Sequence, residues 1–135
     1  MLFAQLEDLV RVQDWFGAVR RAVPDDPRPG DPGPAWRIDL RARLGPLARA
    51  KRLRMARSRH DAPSSVRFER REDDGRSHSP WVLEAEVAPV PGGSRLDVRF
   101  HYGGGLFGPV LERLLADEVE QAKPRLLALV SATAS

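Results

Sequence analysis

The stretch WVLEAEVAPVPGGSRLDVRFHY, residues 81–102, decides the fold. Trp81, Leu83, Ala85 and Val87 alternate with Val82, Glu84 and Glu86. Leu96, Val98, Phe100 and Tyr102 alternate with Asp97, Arg99 and His101. A period of two belongs to a strand with one face on a core and one in water. Pro91-Gly92-Gly93 between the runs has hairpin-loop chemistry, so the two runs are predicted to pair antiparallel.

The same period extends upstream. Trp36, Ile38, Leu40, Ala42 and Leu44 alternate with Arg37, Asp39, Arg41 and Arg43, and Gly45-Pro46 closes the run. Residues 48–59 form a weaker strand, with Leu53 and Met55 pointing one way and Arg52 and Arg54 the other. Asp61-Ala62-Pro63 turns the chain. Val66, Phe68 and Arg70 then share a face opposite Arg67, Glu69 and Arg71, before a second turn at Asp73-Asp74-Gly75. Successive strands with short connections imply an antiparallel meander.

The flanks follow other rules. PDDPRPGDPGP, residues 24–34, holds five prolines and two glycines and reads as a strand-to-strand loop. Before it, Phe3, Leu6, Leu9, Val10, Trp15, Phe16 and Val19 recur at roughly helical spacing. This predicts two short helices or one bent helix ending near Ala18, with Gly17 marking a break. After Gly103-Gly104-Gly105, an apolar stripe from Phe107 through Leu111, Leu115, Val119, Ala122 and Leu126 to Val130 predicts a helix of about 25 residues. Pro124 is expected to kink it or split its last turns.

A chain of 135 residues suits a single domain, here 1–135. With 41% hydrophobic and 30% charged residues it should be globular and not disordered. The absence of cysteine removes disulfides, thiolate metal sites and cysteine nucleophiles, and fits a cytoplasmic location. No basic leader precedes an apolar run at the start, and no stretch approaches the roughly 18 apolar residues of a membrane span. The net charge is only +3, although arginines crowd the segment from Trp36 to Arg71. They share the outer strand faces with Asp39, Glu69, Glu84, Glu86 and Asp97, so cross-strand ion pairs on a solvated face account for them. Nucleic-acid binding would use exposed aromatics for stacking, and here the aromatics alternate inward.

Helices, a run of antiparallel strands and one long amphipathic helix form an order that resembles the START-like (SRPBCC) superfamily. Within it, the chain is similar to the polyketide cyclase/dehydrase and lipid-transport group. LEDLVRVQDWFGAVRR looks like the group's first helical pair. The stretch from HDAPSSVRFERRE to RLDVRFHYGG looks like its central hairpins, and GLFGPVLERLLADEVEQAKPRLLALV like its C-terminal helix. The resemblance covers nearly the whole chain and rests on pattern, with no signature motif. It implies an α+β helix-grip fold, an antiparallel sheet wrapped around a long C-terminal helix. It also implies a missing first strand, since Met1 already stands at the first helical segment. A sheet without that strand exposes an extra edge, which makes a homodimer a possible partner state.

In such a fold the inner strand faces and the long helix enclose an apolar pocket. The expected ligand-binding residues are Trp36, Leu40, Met55, Phe68, Arg70, Trp81, Leu83, Phe100, Tyr102, Phe107 and Leu111. Apolar residues at this spacing also describe an ordinary filled core. Arg70 and Tyr102 are the polar exceptions, with Arg57 a weaker third. Arg70 should bind an acidic ligand group or pair with an acid from the first helices, or else reach solvent at a strand end. Leu106 to Val110 and the loops near Pro63 and Gly92 are expected to gate entry.

No catalytic set is assigned. His60, His78 and His101 lack metal-ligand spacing, no serine sits in a nucleophile elbow, and no cofactor is expected. The leading expectation is binding of a hydrophobic small molecule or lipid. The alternative is a cyclase or aromatase in the same pocket, with Arg70 and Tyr102 polarising carbonyls. It ranks second because no inward acid or base is evident. A protein-interaction module using the uncovered edge is the third.

Overall fold

The computed structural model describes the backbone of residues 2–44, 47–103 and 108–134, and the side chains of residues 2–41, 51–103 and 113–131. A six-stranded antiparallel sheet runs in chain order, β1 (Val19–Asp25), β2 (Ala35–Leu44), β3 (Leu47–Asp61), β4 (Ser65–Arg70), β5 (Trp81–Val90) and β6 (Gly93–Tyr102). The C-terminal helix, Gly108–Ala134, packs against it. The architecture is thus the predicted α+β arrangement of a sheet and one long terminal helix. The helix runs through Pro124 without interruption.

Ahead of β1 the chain makes two short helical segments, the first of the two expected forms, and they end before Ala18. They are a single 3-10 turn, Phe3–Gln5, and a four-residue helix, α1 (Leu9–Val12), so the C-terminal helix is α2. Asp8 caps α1, its Oδ1 accepting the Val10 N–H at 2.9 Å. The helical spacing of Leu6, Leu9, Val12, Trp15 and Phe16 reflects a compact plug, every one of these side chains being buried in the core. The Trp15 indole N–H donates to the Gln5 carbonyl at 2.9 Å and closes the plug. Val19 onwards is strand, because ladder bonds to β2 (Ala22 opposite Ile38, Pro24 opposite Trp36) outweigh the local helical period. A register shift between Val19 and Arg21 interrupts that ladder.

The meander itself follows the alternation. Trp36 stands opposite Met55, Met55 opposite Arg70, Phe68 opposite Leu83, and Leu83 opposite Phe100. One face therefore gathers the large apolar residues. The N-terminal plug and Leu115, Val119, Ala122 and Leu126 of α2 cover them in one continuous core. A second register shift, between Arg57 and Arg59, falls in β3. The β5–β6 turn needs Gly92, whose φ of 82° is left-handed. Gly45, Pro46, Gly104, Gly105 and Leu106 lie outside the described residues.

One outer-face expectation is corrected. Arg54, assigned to the solvated face, is only 1% exposed. The proline-rich loop after β1 folds back over the outer face of β3 and covers it. Arg54 donates to Asp25 Oδ2 at 2.7 Å, to Asp31 Oδ1 and Oδ2 at 3.0 and 2.7 Å, and to the carbonyls of Asp26 and Arg71 at 3.1 Å each. Alternation places a side chain on a face; it does not reveal what a distant loop lays over that face.

Candidate functional site

Residues with both apolar bulk and a polar handle come together at one end of the sheet. Glu69 pairs with Val82, so Arg70 at the end of β4 lies beside Trp81 at the start of β5. Trp81 pairs directly with Tyr102 of β6. The three side chains form a row across β4, β5 and β6 on the core-facing side. The Trp81 and Tyr102 rings are 4.7 Å apart, and the Phe100 ring is 5.3 Å from Trp81.

The members of the row are satisfied to different degrees. Arg70 is nearly buried; its Nε donates to Glu72 Oε2 at 2.7 Å and its Nη1 to the Ser79 carbonyl at 3.3 Å. Its acid thus comes from two residues further along the chain and not from the N-terminal segment. Trp81 is 4% exposed, and its indole N–H is buried without a hydrogen-bond partner. Such an unmade bond costs about 1–3 kcal/mol. This is the one buried side-chain polar atom left unsatisfied among the described residues.

The remaining expected residues lie along the same face. Trp36 and Phe68 meet edge to face at 5.5 Å. Leu40, Met55, Leu83 and Phe100 are buried in the same cluster. Phe107 lies outside the described residues, as does the side chain of Leu111. Arg57 projects towards the plug, its Nη1 donating to the Glu7 carbonyl at 3.0 Å. Of the expected gates, the turns at Pro63 and Gly92 lie at one end of β5, and Trp81 and Tyr102 lie at the other; Leu106, Phe107 and the side chains up to Val110 lie outside the described residues.

Two polar features were not foreseen. The loop latch on Arg54 draws the Asp31 carboxyl down to about 2, chiefly through the Arg54 hydrogen bonds and against the opposing effect of burial. Asp25 is lowered by the same guanidinium. The hint in the sequence was a loop with three aspartates facing an arginine-rich strand, which fixes no pairing by itself. Separately, His60 meets Glu7 at 2.8 Å and its ring lies tilted 5.8 Å from Phe3, tying β3 to the plug; the His60 and Glu7 side chains are 37% and 36% exposed. Between α2 and the first two strands, Arg20, Arg41, Arg125, Asp117 and Glu118 line an open cleft of about 580 Å³.

Among the described residues no group of three or more histidines or carboxylates is disposed to hold a metal ion. No helix among them is long and apolar enough to cross a membrane. No protein-family model matches the chain, and no curated protein matches it.

Proposed function

We propose that the chain is a START-like binding protein that holds an apolar small molecule or lipid between the inner face of the sheet and α2. The observation that carries this reading is the Trp81 indole N–H. A donor nine-tenths buried among aromatic rings and left without an acceptor suits a ligand that brings one. The ligand chemistry that fits is a mainly hydrocarbon or aromatic body bearing a carbonyl, ester or hydroxyl oxygen. Phe100, Leu83 and Phe68 supply apolar contact to the body, and Trp81 reads the oxygen. Arg70 is held by Glu72 and gives the rim a neutralised polar edge, so a neutral polar group suits this end better than a free carboxylate.

Native mass spectrometry of freshly purified protein tests the reading, followed by denaturation and organic extraction. The expected result is a bound apolar molecule carrying an oxygen acceptor, with lower occupancy in Trp81→Phe than in wild type. A ligand-free mass in every preparation, with no uptake of a fluorescent fatty-acid or aromatic probe, would overturn it.

A further inference from the structure

The two edges of the sheet are built differently. β1 is short, its ladder shifts register between Val19 and Arg21, and it contains Pro24. Bulges and prolines discourage a further strand from adding. β6, at the other edge, pairs with β5 from Gly93 to Tyr102 with no shift and contains no proline. A strand paired on one side offers the N–H and C=O row of its other side to a new strand. Val98, Arg99 and Phe100 of β6 border a groove of about 290 Å³ together with Ala116, Val119 and Glu120 of α2. Val98 is half-buried there, as is Leu96 two residues before it on the same face.

The outer-face charges of β6 are also unbalanced. Asp97 stands directly opposite Glu86 on β5, a like-charge pair. Its cation is Arg95 of the same strand, at 3.3 Å, and both side chains are mostly exposed. Arg99 stands opposite Glu84, but Glu84 leans to Arg67 at 3.8 Å, and Arg99 closes no ion pair among the described residues.

We propose that β6 is a homodimer edge, completed by β6 of a second copy running antiparallel about a two-fold axis at Val98. In this register Asp97 faces Arg99 of the second copy, and Arg99 faces its Asp97. Residues directly opposite have Cβ atoms about 4.5–5.5 Å apart, within reach of an ion pair. Val98 meets its own copy and Leu96 meets Phe100, so the apolar face continues across the join. The two-fold axis makes each favourable pair occur twice. Neighbouring registers are worse. Centring on Asp97 sets Asp97 against itself and Arg95 against Arg99. A one-residue slip carries the inner face of one sheet into the outer face of the other. Centring on Leu96 gives Asp97 only Arg95, which already has an aspartate beside it.

Sedimentation and native mass spectrometry across a concentration series test the edge, on wild type, Asp97→Arg, Arg99→Asp and the double reversal. These side chains lie on the solvent face, and circular dichroism checks that each variant is folded. Wild type should dimerise with rising concentration. Each single reversal should weaken the dimer by about tenfold or more, and the double reversal should return it close to wild type. Val98→Cys should form a disulfide-linked dimer on oxidation, whereas Val23→Cys, exposed on the β1 edge, should not. A monomer at every concentration, a dimer indifferent to the single reversals, or a double reversal that stays weakened would each overturn the proposal.

Discussion

Arg54 grips Asp31 with two parallel bonds, Nη1 to Oδ1 at 3.0 Å and Nη2 to Oδ2 at 2.7 Å, across a sequence separation of 23 residues. With Nε on Asp25 and the remaining protons on the Asp26 and Arg71 carbonyls, all five guanidinium donors are used. A buried cation is costly unless its geometry satisfies it in this way. The latch thus fixes the proline-rich loop to β3 and, through Asp25, fixes the end of β1.

Removing the guanidinium should therefore be expensive. Arg54→Ala strands two carboxylates under the loop and is expected to lose about 3–5 kcal/mol of stability. Arg54→Lys should recover only part of this, since a point charge cannot make the paired bonds. Urea denaturation measures both. A loss below about 1 kcal/mol for Arg54→Ala would mean the latch contributes little.

The same pair sets an acid limit. Asp31 titrates near 2 in the folded protein, below its ordinary 3.8, so its charged form favours the fold. That contribution is complete above about 3.8 and disappears as pH falls through about 2. It is on the order of 2 kcal/mol. Denaturation midpoints of wild type and Asp31→Asn should differ at neutral pH and converge in this acid window. A constant gap down to pH 2 would show that the Asp31 charge is not the cause.

Gly33 has a separate role in seating the loop. A Cβ built there would lie 2.6 Å from the Arg57 carbonyl oxygen, a backbone atom that cannot swing away. The adjacent Pro34 carbonyl accepts the Arg57 N–H at 2.9 Å, so the approach is part of the join between loop and strand. Gly33→Ala should cost about 1–3 kcal/mol. Gly93→Ala, with nothing within 4 Å of its Cβ, should be close to neutral in the same thermal-melt comparison.

The alternation of Trp36–Leu44 and Trp81–Tyr102 made the sheet legible, because side chains on a half-buried strand must repeat every two residues. The α2 stripe was legible for the corresponding helical reason. The segment from Phe3 to Phe16 showed its helical period, and two short helical segments form there; how few residues are helical was not legible, because a plug that inserts side chains from successive turns keeps the same spacing. Arg54 was misplaced for a related reason. Arg52, two residues before it on the same face, is solvated, and the partners of Arg54 sit 23 and 29 residues away, in the proline-rich loop and at the end of β1. The Arg70–Trp81–Tyr102 row could be anticipated residue by residue. That the Trp81 N–H has no partner is a property of tertiary packing, absent from any local pattern.

The buried indoles offer a matched comparison. Trp15 and Trp81 are 3% and 4% exposed, but Trp15 donates to the Gln5 carbonyl whereas Trp81 donates to nothing among the described residues. Replacement by phenylalanine removes similar volume at both sites and a hydrogen bond at only one. In ligand-free protein, Trp15→Phe should therefore cost about 1 kcal/mol more than Trp81→Phe in chemical denaturation. Equal costs would mean that the Trp81 donor is satisfied in solution, and the case for a ligand acceptor at that atom would fall. With a ligand bound the order should narrow or reverse, because Trp81→Phe then also loses the bond to the ligand. Running the pair on extracted and unextracted protein separates the two states in one experiment.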